Sequence, residues 1–173
     1  METQKIITSD MLKTSVGKNR FDKTEELGIF HLTHRNAAGK ILGARIVHNL
    51  ITSAGKAGIA SRINGSGSEA AFTYLAVGVG TNAAAVGDTT LQTEITDSGL
   101  ARVNATASRV TTSVTNDTAR LTTTFTVTGT KAVTEAGILN AASVGTLLSR
   151  QVFTAVNVIN GDSLQLTYSV QAS

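Results

Sequence analysis

Several residue types are missing from this 173-residue sequence, which has no cysteine, no proline and no tryptophan. Without cysteine the chain can form no disulfide, offer no thiolate nucleophile and bind no zinc through sulfur. Without proline, its turns must be made by Gly, Asn and Asp. Aromatic residues amount to only 4% of the chain, which argues against a cleft that stacks sugars and against a surface that stacks nucleobases.

Long hydrophobic runs are also absent. No apolar stretch approaches the roughly 20 residues that a membrane-spanning helix needs. The N-terminus lacks the charged-then-apolar pattern of a secretion signal. We therefore expect a chain that is made in the cytoplasm, is not secreted and has no membrane partner.

What the chain does contain favours β-structure. Its hydrophobic content is 41%, much of it Ala and Val, and Thr alternates with Val through the second half. β-Branched side chains fit a pleated sheet better than a helix, and the 16 glycines suit many turns. The length is that of one ordinary domain with a short extra arm, and such a domain buries a core without metal or disulfides.

Charge is unevenly distributed along the chain, whose net charge is +3. Residues 1–62 carry ten Lys or Arg against five Asp or Glu, whereas residues 63–173 carry five against seven. The basic half could contact nucleic acid or an acidic protein surface. Because no basic cluster is dense enough to follow a phosphate backbone, we favour a solvated arm and expect no nucleic-acid partner.

The first 27 residues show no sustained periodicity, with isolated apolar residues among polar ones. This pattern is typical of an extended basic arm that could become ordered on a neighbouring subunit. Residues 28–173 would then form a single β-domain. The arm residues that we expect to make contacts with a neighbouring protein are Lys5, Ile6, Ile7, Met11, Leu12, Lys13, Lys18 and Arg20.

Turn signals divide the β-domain into short strands. We predict strands at residues 29–35, 40–49, 72–80, 121–128, 131–139, 146–156 and 163–170. Along the strand at 121–128, apolar residues alternate with Thr122, Thr124 and Thr126, which predicts one buried face and one hydroxyl face that is wet or contacts another subunit.

A shift in the apolar pattern lies between these strands. Val103, Ala105 and Ala107 would share one face, and the phase then changes after Ser108 and Arg109. We interpret this change as a β-bulge.

The segment from Ser53 to Ile63 is predicted as one short helix. Its first residue can cap the first turn, and Ile59 lies four residues from Ile63 on one face. Gly55 and Gly58 weaken the helix, so packing must hold it. Strands at this spacing around a single helix predict a mostly β fold, either a β-sandwich or a jelly-roll-like domain.

Three histidines are the first candidates for metal ligands. His31 and His34 would point to opposite faces of a strand, and His48 belongs to the next strand. No cysteine or nearby carboxylate completes a site. We therefore expect exposed or hairpin-packed histidines and no bound metal.

Two further patterns could carry chemistry. The G-V-G sequence at residues 78–80 lacks the order of a dinucleotide-binding or phosphate-binding loop, so we favour a turn beside a closely packed strand. Asp88, Glu94 and Asp97 could bind calcium or act as an acid/base pair, but their spacing fits no EF-hand loop. We favour capping or solvated acids, and we expect no enzymatic activity and no cofactor.

Four blocks of sequence, spread over residues 40–170, resemble small structural proteins of tailed bacteriophages. Similar blocks occur in head-decoration (cement) proteins and in the bases of tail fibres or collars. The resemblance implies a virion component without catalytic residues. The blocks are residues 49–60 (NLITSAGKAGIA), 72–81 with 88–95, 133–140 with 145–150, and 160–168.

The expected function is that of a capsid decoration protein on the outer head surface, assembled in the cytoplasm of the host bacterium. Its partners would be the major capsid protein and copies of itself, with no small-molecule substrate. The chain is short and lacks the repeats or coiled coil of a fibre shaft. The alternative is an attachment component of the tail fibre, collar or baseplate.

Overall fold

The computed structural model describes residues 28–172, so the predicted arm at residues 1–27 lies outside the described part. The described residues form ten strands and one helix. In chain order they are β1 (Gly28–Arg35), β2 (Ile41–His48), β3 (Leu50–Ile51), α1 (Ser53–Asn64), β4 (Tyr74–Gly78), β5 (Val103–Asn104), β6 (Thr106–Val110), β7 (Thr118–Thr126), β8 (Lys131–Leu139), β9 (Leu147–Val158) and β10 (Ser163–Gln171). The mostly β class with one short helix is confirmed.

The strands form two antiparallel sheets that pack as a sandwich. The first sheet has the order β2-β1-β10-β7-β6, and the second has the order β3-β9-β8-β4-β5. Alternation along β7 and β10 turns Leu121, Phe125, Leu164 and Leu166 to the inside, as the period of two predicts. These side chains share one core cluster with Ile138 of the second sheet.

The threonine face of β7 lies on the outside of the sandwich. Thr124 and Thr126 are exposed, whereas Thr122 is half-buried. The hydroxyl of Thr122 lies 3.2 Å from that of Thr167 on β10, within hydrogen-bond distance. Within the single chain this face therefore borders solvent, and its expected contact with another subunit stays a prediction.

The predicted bulge at Ser108 and Arg109 is wrong. Both residues lie in the regular pairing of β6 with β7. The pattern breaks earlier, at Ala105, because the chain crosses there from the second sheet to the first: β5 pairs with β4, and β6 pairs with β7. Val103 and Ala107 were predicted to share one face, but they belong to different sheets.

Helix α1 is capped one residue earlier than predicted. The N-cap is Thr52 rather than Ser53, and its hydroxyl oxygen accepts a hydrogen bond from the Gly55 amide at 2.9 Å. The same hydroxyl donates to the main-chain carbonyl of Leu147 at 2.6 Å. One side chain therefore both starts the helix and fixes it to the beginning of β9.

The helix packs against β9 through its glycines. Ile63 was predicted on the packed face but is 81% exposed, whereas Gly55 and Gly58 are buried. A Cβ atom at Gly55 would lie 2.1 Å from the main-chain oxygen of Leu148. The close approach of helix and strand therefore requires a residue without a side chain.

Replacing Gly55 with alanine tests this close packing. Helix propensity alone predicts a gain of about 1 kcal/mol. We expect instead that the free energy of unfolding falls by about 1–3 kcal/mol, because the added methyl group meets a main-chain carbonyl. The control is Gly43→Ala on β2, where an added Cβ meets nothing within 4 Å. Urea denaturation compares the variants, and a Gly55→Ala protein as stable as the original would contradict the packing.

Candidate functional site

The predicted contact residues of the arm lie outside the described residues, so their role stays a prediction. They are Lys5, Ile6, Ile7, Met11, Leu12, Lys13, Lys18 and Arg20. The remaining candidates lie within the sandwich and its loops, where their surroundings are defined.

The three carboxylates between β4 and β5 do not converge on one site. Each of the three acids has its own basic partner. The hydrogen bond from Lys131 holds the pKa of the largely exposed Asp97 below its ordinary value. The pairs are Asp88–Arg150 at 2.8 Å, Glu94–Arg102 at 2.6 Å and Asp97–Lys131 at 2.8 Å. Within residues 28–172, no group of three or more His, Asp or Glu side chains is placed to hold a metal ion.

A buried ion pair between β8 and β9 was not foreseen from the sequence. Glu135 is fully buried and Arg150 is 2% exposed, and the Arg150 Nε donates to Glu135 Oε2 at 2.7 Å. The other guanidinium nitrogens donate to Asp88 at 2.8 Å and to the Asn82 carbonyl at 3.0 Å. Burial lowers the pKa of Arg150, but the hydrogen bonds to both carboxylates outweigh burial and raise that pKa above its ordinary value.

The Glu135 carboxylate also binds the main chain of the loop that follows β4. Its Oε1 accepts from the amides of Gly80 at 3.0 Å and Thr93 at 2.7 Å, and its Oε2 accepts from Gln92 at 3.0 Å. A Cβ atom at Gly78 or Gly80 would come within 2.5 Å of Oε1. The predicted turn is wrong, since Gly78 ends β4 and Val79 continues the pairing with Thr93. The predicted close approach is confirmed, and the group that the segment surrounds is a side-chain carboxylate.

This loop covers the outer face of the second sheet. Leu91 is buried against Ala76, Leu139 and Leu147 in a small cluster separate from the main core. Ile95, further along the same loop, is 4% exposed, and its amide donates to β4 at the Val77 carbonyl at 2.9 Å. The ion pair and this cluster together hold a third layer on one side of the sandwich.

A signal for the ion pair was present in the sequence. Glu135 interrupts the apolar end of the strand at residues 131–139, and a charge that a strand buries needs a partner. That partner, Arg150, lies fifteen residues further on. It can be identified only when the register of β8 against β9, which contains two irregularities, is known.

Removing the Glu135 carboxylate should destabilise the protein strongly. Glu135→Gln leaves Asp88 as the one carboxylate that still binds Arg150 and removes the charge at the fully buried end, so we expect the free energy of unfolding to fall by roughly 3–5 kcal/mol. Adding Arg150→Met removes the buried cation that Glu135 no longer balances and should restore part of that loss. Urea denaturation measures the free energies, and hydrogen exchange should show faster exchange of the loop amides at residues 80–93.

The control for this experiment is Asp97→Asn, which removes the acid of an exposed pair. Its stability should be nearly that of the original protein, because exposed ion pairs contribute little. Similar losses in Glu135→Gln and Asp97→Asn would show that the buried pair does not hold the loop.

The histidines occupy two kinds of environment. His31 and His48 are exposed, whereas His34 is buried. His31 and His34 therefore lie on opposite faces of β1, as predicted. The Nε2 of His34 lies 2.7 Å from Asp162 Oδ2. The same Asp162 oxygen accepts from the Ile159 amide at 3.0 Å. The hydrogen bond with His34, followed by that with the amide, holds the pKa of Asp162 below its ordinary value.

This contact should make stability depend on pH in the acid range. A carboxyl group whose pKa is lowered by folding contributes stability that is present above its ordinary pKa, 3.8, and is lost as the pH falls through the folded pKa. Asp162→Asn keeps an acceptor for the Ile159 amide but loses the charge. We expect it to be less stable than the original protein near neutral pH, and the difference to shrink below pH 3.8.

Urea denaturation at a series of pH values measures this difference, with His34→Gln as the companion variant. Without the histidine, the folded pKa of Asp162 moves back toward its ordinary value, so less stability should be lost in acid and that loss should be complete at a higher pH. A difference between Asp162→Asn and the original protein that stays constant in acid would contradict this account.

Comparison with known proteins finds no relative of this chain. No family model, no curated protein and no solved structure matches it. In the part of the chain that the structure describes, no helix is long and apolar enough to cross a membrane. Any assignment of function therefore depends on the residues and contacts described above.

Proposed function

We propose that this chain is a non-enzymatic structural protein of a bacteriophage particle and that it acts as a capsid decoration protein. It binds the outer surface of the head and stabilises contacts between capsid subunits. Its partners are the major capsid protein and copies of itself. It uses no cofactor, small-molecule substrate or nucleic acid.

The observation that carries this proposal is the place of the phage-like segments in the fold. Residues 72–81 and 88–95 supply the loop whose amides bind Glu135, and residues 133–140 and 145–150 supply the ion pair itself. The segments that carry the resemblance therefore meet at a contact that holds the sandwich and its covering loop together.

The two remaining segments also join parts of the fold. Residues 49–60 include Thr52, whose hydroxyl fixes α1 to β9, and residues 160–168 include Asp162, which binds His34 of β1. Residues with framework roles of this kind fit a particle component that has no catalytic residues. The expectation of a structural role is supported by this distribution.

Particle composition tests the proposal. Virions of the phage that encodes the chain are purified, and the copy number of the chain relative to the major capsid protein is measured by quantitative mass spectrometry. A decoration protein should occur in a fixed ratio near that of the capsid subunit, because it follows the symmetry of the head. Immunogold labelling should place it on the heads.

Two results would overturn the assignment to the head. A copy number of about a dozen, with labelling at the tail, would favour the tail-fibre, collar or baseplate alternative. Absence from purified virions, despite expression during infection, would remove both particle roles.

Deleting residues 1–27 should separate folding from attachment. The described domain begins with β1 at Gly28, and β1 is paired through its full length with β10. We therefore expect the truncated protein to keep its melting temperature but to occupy purified heads more weakly. Burial of apolar arm residues contributes roughly 25 cal/mol per Å², so the loss of a few anchors is enough to weaken binding. Unchanged occupancy would show that the arm is not an attachment element.

A matched pair of variants then divides the arm into apolar and charged contacts. One replaces Ile6, Ile7, Met11 and Leu12 with serine, and the other replaces Lys5, Lys13, Lys18 and Arg20 with glutamine. If the apolar residues are the anchors, the first variant should bind heads more weakly than the second. If attachment is electrostatic, the second should be weaker and its binding should lose its dependence on salt.

A further inference from the structure

One side of the sandwich is open between two strands. β2 is the outer strand of the first sheet and pairs only with β1. β9 pairs with β3 only at Ser149 and Arg150. Within the described residues, the part of β9 at residues 151–158 therefore has no strand partner on the side away from β8. We call the gap between β2 and this part of β9 the seam.

Side chains bridge the seam without filling it. The Arg45 guanidinium donates to the main-chain carbonyls of Thr154 and of Ala155, the latter at 3.0 Å. The side chain of Gln151 donates to the carbonyl of His48 at the far end of β2, at 2.5 Å. The carbonyls of Thr154 and Ala155 thus face the seam, and Arg45 is the group that binds them there.

A cavity with both apolar and polar walls opens beside Arg45. Its volume is about 240 Å³, and its apolar walls are formed by Leu32, Leu42, Val156 and Leu164, with His34 and Asn157 among the polar ones. An apolar cavity of about 150 Å³ can already hold a benzene-sized group, so the cavity has room for aliphatic side chains. Strand β2 also carries exposed apolar side chains, since Ile41, Leu42 and Ile46 are each more than half exposed, and Leu42 lines the cavity.

We propose that the seam receives the apolar segment at residues 6–12 from the N-terminal arm of a second copy of this chain. An extended segment that pairs with a free strand edge gains main-chain hydrogen bonds, and its alternate side chains enter pockets. The segment carries Ile6, Ile7, Met11 and Leu12, which suit the cavity. The inference rests on the proposed function in one respect, because decoration of a head places copies of the chain side by side.

Length and charge agree with this occupant. Fifteen residues separate Leu12 from Gly28, and an extended chain of that length spans about 50 Å. A domain of this size is roughly 40 Å across, so the segment can reach a neighbouring molecule. Asp10 is the only charged residue of the segment, and Arg45 lines the cavity at the seam. Opposite charges therefore meet when the segment is in place.

Engineered thiols test the proposal, because the chain has no cysteine of its own. Full-length protein with Met11→Cys is mixed with full-length protein with Asn157→Cys, at an exposed position that borders the cavity. The mixture is oxidised mildly, and mass spectrometry of linked peptides identifies the Met11–Asn157 cross-link. The control partner is Ser143→Cys, which is exposed in the turn at the opposite end of β9.

We expect the cross-link to position 157 to form at least about tenfold faster than the cross-link to position 143, because docking raises the effective concentration of the thiol. Replacing Ile7 and Leu12 with serine in the Met11→Cys chain should abolish that difference. Equal rates at positions 157 and 143 would overturn the proposal.

A chain that carries both Met11→Cys and Asn157→Cys distinguishes a second copy from the same molecule. Cross-linked dimers and higher species support exchange between copies. An internally closed monomer without dimers would overturn it, since the seam would then hold the segment of its own chain. The cross-linking is measured on purified protein, whereas the proposed function is tested by the copy number of the chain in virions. A negative cross-linking result therefore rejects the docking of the arm without deciding the proposed function.

Discussion

A carboxylate buried in the middle of a sheet is the constraint on which much of this structure depends. Glu135 has no exposed surface, and an uncompensated charge in that position would cost several kcal/mol. It is compensated by Arg150 and by three loop amides. The loop after β4 must therefore lie over the second sheet, and Gly78 and Gly80 must lack side chains to let it approach. Charge compensation thus determines where an otherwise irregular segment runs.

Local patterns predicted the strands well because their causes are local. The alternation along β7 and β10 follows from which face of each strand is buried, and that face can be inferred from neighbouring residues alone. The helix could likewise be located from a capping hydroxyl at its start, although the cap is Thr52 and not Ser53. Its packing could not, because the burial of Gly55 depends on Leu148, which belongs to a distant strand.

The features that sequence analysis missed all depend on long-range pairing. The crossing between sheets at Ala105 resembles a bulge in the sequence, because both events change the phase of the apolar pattern. The partner of Glu135 is determined by the register of two strands, and His34 meets Asp162 across 128 positions. Of the basic partners of the acids at 88, 94 and 97, Arg150 and Lys131 come from β9 and β8, whereas Arg102 lies in the same connection between β4 and β5 as Glu94.

The pairing of β1 with β10 bears on the order in which the chain can fold during translation. These strands stand side by side in the first sheet although they come from opposite ends of the described chain. The hairpin of β1 and β2 therefore emerges from the ribosome long before its other neighbour exists, whereas β4, β8 and β9 of the second sheet are all available earlier than β10. Non-local pairings of this kind form slowly and leave apolar surface uncovered meanwhile. The second sheet thus becomes the template on which the newly made C-terminal strand completes the first.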